Sequence, residues 1–474
     1  MRLAILGVGA GGTFLLSRLA ELSSPDWAGG EIFLFEDPEC LGAGLAFNRD
    51  VAEAIINTGR SRLASLAPPF YPLDRYFSQS PFELSDFNSN PLPREAYGTF
   101  LIKALSYAIR ILQEHGLRIS LVPEKAKEVN FSPGKIKVLT EGKFQVEVDQ
   151  AVISIGTWNK KNSVKTGGIP YIPFPYPLKR ILQIFDNPSA IGVLGSGLTA
   201  IDIASVYEKR AATVHLFSPS GRLPWVQVES DEDTLDPLYL TEDNLDRLQY
   251  SGSLSASSVL DLLDAELARF GMSRASFDDE SRITRNWQNP YSDSADLSCH
   301  RTISKTNHVL NAAFASLSVD ERFTLRQGLG SGWPRYRVRV PLARWRQIKK
   351  MIEEDRIILH AGVWADSRQL GSILSDIGAA GLINATGFSA KYEDAPFFLR
   401  QLAAEGHIGL DAEGRGLSDY FTGRAISSDG EMQDNLFLMG QATAGSLLVT
   451  SALDAVHRQA NHIAENLHKE FCKI

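Results

Sequence analysis

Short apolar runs that end in glycine punctuate this chain. Residues 3–6 are uniformly apolar and lead into Gly7-Val8-Gly9-Ala10-Gly11-Gly12; apolar residues then recur at helical spacing over 13–22, and a second apolar run, 32–35, ends in Glu36. Unbroken hydrophobicity marks strands covered on both faces, so the pattern predicts strand, tight turn, helix and parallel strand, a βαβ unit. The pattern returns later. Residues 190–194 are apolar, Gly195-Ser196-Gly197-Leu198-Thr199-Ala200 makes a turn, 201–207 is helical and 213–217 is a strand.

Between the two units, 136–148 alternates as antiparallel strands do, and Ala151-Val152-Ile153-Ser154-Ile155-Gly156 reads as a buried strand closed by glycine. Pro170-Tyr171-Ile172-Pro173-Phe174-Pro175-Tyr176-Pro177 lacks the amide donors of a helix or central strand and is taken as a domain crossing. Residues 231–329 turn polar and helical, as an insertion would. Strands resume at 357–360, 380–385 and 436–439, and a helix over about 446–468 closes the chain. The expected fold is α/β, with two Rossmann-like dinucleotide-binding domains and a helical insertion. Its divisions are 1–178 (first part of the FAD-binding domain), 179–345 (NAD(P)-binding domain with the insertion 231–329) and 346–474 (completion of the first domain).

The glycine spacing carries the chemistry. In Gly7-x-Gly9-x-x-Gly12 the first glycine permits the tight turn, the second a close approach of backbone to pyrophosphate, and the third packing of helix on sheet. Ala10 and Gly11 lie between them, at the helix N-terminus whose amides face the phosphates. Glu36, about two dozen residues beyond Gly12, is placed to accept from a ribose. In the second loop, Gly195, Ser196, Gly197, Leu198 and Thr199 are the candidate binding positions, and alanine stands where the third glycine would be. Its second strand ends in Ser218-Pro219-Ser220-Gly221-Arg222 and not in an acid. Hydroxyls and a guanidinium suit a 2′-phosphate, which an acid would repel, so Ser218 and Arg222 favour NADPH over NADH. Two loops imply two dinucleotides, FAD and NADPH. Thr386 and Gly387 repeat the strand-then-glycine ending of 154–156, and Gly440 and Gln441 precede the last helix and could face a flavin.

The motifs resemble those of FAD/NAD(P)-binding proteins related to flavin-containing and N-hydroxylating monooxygenases, and more closely a bacterial branch of that superfamily. The resemblance covers almost the whole length. It rests on the two loops, Gly42-Ala43-Gly44-Leu45-Ala46-Phe47 with Ile56-Asn57, Pro93-Arg94-Glu95-Ala96-Tyr97-Gly98, Gly195 to Asp202, Trp333-Pro334-Arg335-Tyr336-Arg337, Asn384-Ala385-Thr386-Gly387 and Leu438-Met439-Gly440-Gln441. It implies FAD at Gly7 to Gly12 and Glu36, with Gly44 to Asn57 near the isoalloxazine. The F-x-G-x-x-x-H-x-x-x-W stretch of Baeyer–Villiger enzymes, the G-W-x-W-x-I-P of flavin halogenases and a reductase dithiol do not occur.

Composition narrows the partners. The net charge of −8 is small for 474 residues and spread out, against nucleic acid or anionic membrane as a partner; a small-molecule substrate fits better. No stretch approaches the roughly 20 apolar residues of a membrane span. Cys40, Cys299 and Cys472 form no C-x-x-C pair, and 3–6 is too short an apolar run for a secretory signal, so a cytoplasmic location is expected. No metal site is expected, because adjacent Cys299 and His300 point apart and His308 lies two helical turns on. Catalytic residues stay unknown, with Asn57 and Arg62 as weak candidates for contact with the flavin N5 region. Arg335, Arg337 and Arg339 alternate as on one strand face, either a solvated edge or an anion clamp for a carboxylate substrate or the NADPH phosphate. Likewise 68–77 either covers the site or packs on the sheet. The leading expectation is an NADPH-dependent flavin monooxygenase oxygenating a small nitrogen-bearing metabolite. A flavin oxidase or dehydrogenase, and a redox-sensing or assembly protein with structural FAD, stand beside it. Oligomeric state is unreadable.

Overall fold

The computed structural model describes residues 1–80, 91–161, 164–228, 235–365 and 367–472, so the expected start of the insertion at Asp231 lies outside the described residues. The first unit is a six-stranded sheet in the order Arg424–Ile426, Met432–Leu438, Gln150–Ile153, Arg2–Leu6, Glu31–Phe35, Arg118–Val122, parallel except at its first pair. Alternate residues of Arg2–Leu6 feed two cores, Leu3 and Ile5 on one face and Ala4 and Leu6 on the other. That double burial is why the strand reads as a continuous apolar run. Helices Ala10–Leu22, Arg94–Glu114 and Leu453–Phe471 cover one face. The antiparallel sheet Ala126–Ser132, Lys135–Thr140, Gln145–Val148 covers the other, with helix Phe397–Ala404.

The second unit is a parallel five-stranded sheet in the order Ile357–Ala361, Thr213–Ser218, Ala190–Leu194, Leu382–Asn384, Tyr171–Ile172. Its first and fourth strands come from the stretch expected to complete the first domain. A boundary at 345 therefore falls inside the chain of the second sheet, and first-unit strands resume only with Arg424–Ile426. Part of the proline-rich crossing serves as an edge strand, the one place in a sheet where missing donors cost little. A short antiparallel ribbon joins the units, Trp158–Asn159 outbound against Phe388–Ser389 returning.

The helices of the insertion, from Glu242–Tyr250 to Val319–Leu329, share a core with Trp225, Trp333 and Tyr336. Two local expectations are corrected. Trp333–Arg337 is a turn of helix and not part of a strand; Pro334 suits a helix start, and the three arginines consequently point apart. The closing helix starts at Leu453 and not near 446, because Asn311 of the insertion accepts from the amides of Leu448 and Val449 at 3.1 and 2.8 Å and donates to the Val449 carbonyl, holding that segment out of a helix. Of the two readings of residues 68–77, packing is seen for Tyr71, buried and stacked on Tyr107 and Phe100 of helix Arg94–Glu114, while Asp74 of the same segment lines a cavity.

Candidate functional site between the two glycine loops

The two glycine loops are built alike. Gly7 (φ 93°) donates to the Phe35 carbonyl at 3.0 Å, and Gly195 (φ 124°) to the Phe217 carbonyl at 2.7 Å, so each first glycine is tied to the end of the next strand. A methyl group on Gly7 would run into the Ser154 carbonyl, and one on Gly195 into the Ala385 carbonyl. This explains why both neighbouring strands, 150–153 and 382–384, end in the same way. Gly156 and Gly387 close those ends with φ of 75° and 85°. The Thr386 side chain folds back on Asn384 Oδ1 at 2.9 Å.

In the first loop, a methyl on Gly9 would stand 3.0 Å from Gly44 Cα, one on Gly11 2.8 Å from Ser154 Oγ, and one on Gly12 2.7 Å from the Gly7 carbonyl. Gly9 caps helix Ala10–Leu22 with no side chain, leaving the first amides directed at whatever lies before them. Glu36 Oε2 accepts from Val8 N and Oε1 from Asp37 N, both at 2.9 Å. Burial raises its pKa while these amides favour the charged form, and each oxygen keeps a lone pair for a further donor. Thus Glu36 braces the loop and keeps acceptor capacity.

The second loop is roomier. Gly197 caps helix Leu198–Val206 without a side chain, and a methyl group there would meet open space. Ser196 Oγ donates to the Arg222 carbonyl at 2.6 Å and lies 3.1 Å from Ser218 Oγ, which accepts from Gly221 N. The hydroxyls therefore shape the strand-end turn. The Arg222 guanidinium donates to the Asp278 carbonyl at 2.9 Å and lies 3.6 Å from the carboxylates of Asp278 and Glu280, so its charge is partly met within the chain.

A cavity of about 1070 Å³ opens between the units. Leu45 to Phe47, next to Gly44, and Asn57 to Arg62 line it from the first unit; Leu198 and Thr199 line it from the second. Ser451 to Asp454, at the start of the last helix, and His300, Asn307 and Arg337 of the insertion region complete it. Gly440 and Gln441 are not among its lining residues. Gly440 N donates to Gln459 Oε1, and the Gln441 amide bridges the Ser389 carbonyl at 3.0 Å and Thr450 Oγ1 at 3.1 Å. They lie on a 3₁₀ turn and not at the N-terminus of the long helix, so the amide-lined end expected after Gly440 belongs to Leu453. A second cavity of about 340 Å³, around Arg322, Arg326 and Asp411, includes no residue of either loop.

Residues 4–158 match a family model described as FAD-NAD(P)-binding. No curated relative matches the sequence. An ornithine N-hydroxylase from Kutzneria sp. 744, solved with reduced FAD, NADP+ and L-ornithine, is 14% identical and covers 99% of both chains with a TM-score of 0.57. The FAD-bound cadaverine monooxygenase of desferrioxamine biosynthesis from Erwinia amylovora is 14% identical, covering 98% of this chain and 94% of its own, also at 0.57. At such identity the likeness is one of fold. Residues 4–158 thus match an FAD/NAD(P)-binding domain, and the chain as a whole shares the fold of the two solved proteins. Its residues fit the group: the absence of side chains at Gly9 and Gly44 lets their two turns pack backbone on backbone beside the helix start, the first amides of that helix are uncapped by a side chain, and Glu36 retains acceptor capacity.

Arg62 and Asn57 both reach the cavity, with Arg62 paired to Asp454 and donating to the Ser304 carbonyl at 3.3 Å. Neither is shown to have a catalytic role. His300 also reaches it, whereas Cys299 is wholly buried in the insertion core. Among the described residues no group of three His, Cys, Asp or Glu could hold a metal, and no helix is long and apolar enough to cross a membrane. Sequence reasoning missed the polar lock between the units. Arg94 donates to buried Asp202 at 2.6 Å, Tyr176 donates to the same oxygen at 3.1 Å, and Arg344 stands 4.0 Å from the other. Arg94 and Asp202 each belong to a quoted motif, but 108 residues separate them and nothing local links the two.

Proposed function

We propose that this chain is an NADPH-dependent flavin monooxygenase that oxygenates a small nitrogen-bearing metabolite in the cytosol. The observation that carries the proposal is the repetition of one loop construction at Gly7 and Gly195, with a single interdomain cavity lined by Leu198 and Thr199 of the second loop and by Leu45 to Phe47, which follow the Gly44 packed on the first. The fold likeness to an ornithine N-hydroxylase and a cadaverine monooxygenase supports the reaction class. Ser218, Ser220 and Arg222 at the second strand end, where an acid would select NADH, support NADPH.

FAD, when bound, supplies the electron transfer between reduced nicotinamide and dioxygen. The chain's own part is placement. The amides after Gly9 and the Glu36 carboxylate hold one dinucleotide, and the open N-terminus at Gly197 receives the phosphates of the other. The insertion lines one side of the cavity through His300, Ser304 and Asn307.

Purified protein should be yellow, and anaerobic NADPH should bleach it faster than NADH does. Among amines, amino acids and aromatic acids, one class should then raise oxygen consumption in step with a hydroxylated product. Flavin left unbleached by either nucleotide would overturn the assignment, and oxygen uptake that yields only hydrogen peroxide with every compound would point to an oxidase.

A further inference from the structure

The turn that ends the second βαβ unit is gripped from outside its own sheet. Arg222 donates through Nη1 to the backbone carbonyl of Asp278 at 2.9 Å, while its Nη2 lies 3.6 Å from the Glu280 carboxylate. Both partners belong to the insertion. The backbone bond fixes the guanidinium without neutralising it, and it leaves the Nη2 edge, with its donors, facing Glu280.

Three consecutive acids stand here, and two are occupied. The Asp278 carboxylate, 3.6 Å from Arg222, is hydrogen-bonded by Arg335 and accepts from Ser331 Oγ at 3.0 Å. Asp279 caps helix Glu280–Gln288, its Oδ1 accepting from the Ser281 amide at 2.9 Å and the Arg282 amide at 3.3 Å. Glu280 differs. Its side chain is 77% exposed, against 30% for Arg222, and among the described residues Arg222 is its one ion-pair partner. At 3.6 Å it attracts the guanidinium without a hydrogen bond, and a pair so open to water is weak and readily exchanged.

An anion that reaches Arg222 must therefore take the place of Glu280. A phosphate monoester carries about −1.5 to −2 charges near neutral pH and wins that exchange, but it gives up part of its affinity in doing so and is repelled by the acid it displaces. A ribose 2′-hydroxyl meets neither penalty. We infer that Glu280, on the insertion, is a selectivity-determining residue: it competes with the 2′-phosphate of NADPH for Arg222 and holds the preference for NADPH over NADH below what Arg222 alone would confer. The inference rests on the proposed NADPH reading. It gives the insertion a part in nucleotide choice besides its place in the cavity wall. Selectivity is a difference between two affinities, so an acid that weakens one nucleotide and not the other narrows it.

The test is calorimetric titration of the holoenzyme with NADP+ and with NAD+. Glu280→Gln should raise NADP+ affinity roughly two- to tenfold and leave NAD+ affinity unchanged, and Glu280→Lys should raise the first further. The gain should shrink between about 0.01 and 1 M salt, as the screening length falls from about 30 to 3 Å; a change in folding would not follow salt in this way. In an Arg222→Gln background the same Glu280→Gln change should give a smaller gain, because two groups no longer share one guanidinium. NADP+ affinity unchanged or lowered in Glu280→Gln, an equal gain for NAD+, or a gain undiminished without Arg222 would each overturn the inference. Arg222→Gln by itself tells the two readings apart. If it weakens NADP+ while Glu280→Gln has no effect, the competition alone fails; if it leaves NADP+ affinity untouched, the 2′-phosphate assignment falls and the inference falls with it.

Discussion

At the scale of single residues, the two loops separate the needs of the fold from those of a ligand. Gly7 cannot take a side chain without moving the Ser154 carbonyl, and its φ is one that other residues rarely adopt, so its conformation serves folding and binding at once. Gly197 has negative φ and open space where a methyl group would go; only a ligand occupying that space would object. Gly197→Ala should accordingly leave the thermal midpoint within about 2 °C and flavin content unchanged, while NADP+ affinity falls roughly tenfold or more, about 1.4 kcal/mol. Calorimetric titration beside a thermal scan checks both halves. Equal affinity in the variant would mean that the phosphates do not approach Gly197.

At the scale of elements, strands covered on both faces were legible because their hydrophobicity is unbroken. Both βαβ units stand within a few residues of their expected limits, beginning with Arg2–Leu6 and Ala190–Leu194. What local pattern could not carry was the pairing of distant segments. Nothing near Leu448 announces that Asn311 will take its amide, and alternation at 335–339 imitates a strand where one helical turn sits against the insertion. Two strands of the second sheet also hold a histidine pair, His215 Nδ1 lying 3.0 Å from His360 Nε2. Burial lowers both pKa values, and for His215 the neighbouring imidazole lowers it further. The folded state thus binds fewer protons than the unfolded chain. Stability is complete above the ordinary histidine value of about 6.5 and declines as pH falls through and below it. Thermal midpoints should drop between pH 8 and 5.5, and His215→Phe should drop less over the same interval. Parallel pH profiles for the two proteins would show that this pair is not a source of the loss.

At the scale of the whole molecule, the candidate site belongs to no single domain. The glycines and Glu36 were readable because each obeys a local rule, whereas Arg94, Asp202, Asn307 and Asp454 acquire meaning only when the two units and the insertion meet. Asp202 is central to that meeting, receiving Arg94 from the first unit and Tyr176 from the crossing. Asp202→Ala would leave the Arg94 and Arg344 guanidinium groups buried without their acid, a loss of about 3–5 kcal/mol. Denaturant unfolding, followed by flavin release and by circular dichroism, should then separate into two transitions where the parent shows one. A single shared transition in the variant would mean that other contacts hold the units together.

The antiparallel ribbon of Trp158–Asn159 and Phe388–Ser389 has a mechanical side. Because the chain leaves the first unit and returns to it through adjacent strands, the two covalent crossings form one seam and share any pull between the units. The Arg94–Asp202 pair and the Asn311–Val449 bonds fasten the units at points away from that seam, so three separated anchors triangulate the position of one glycine loop relative to the other.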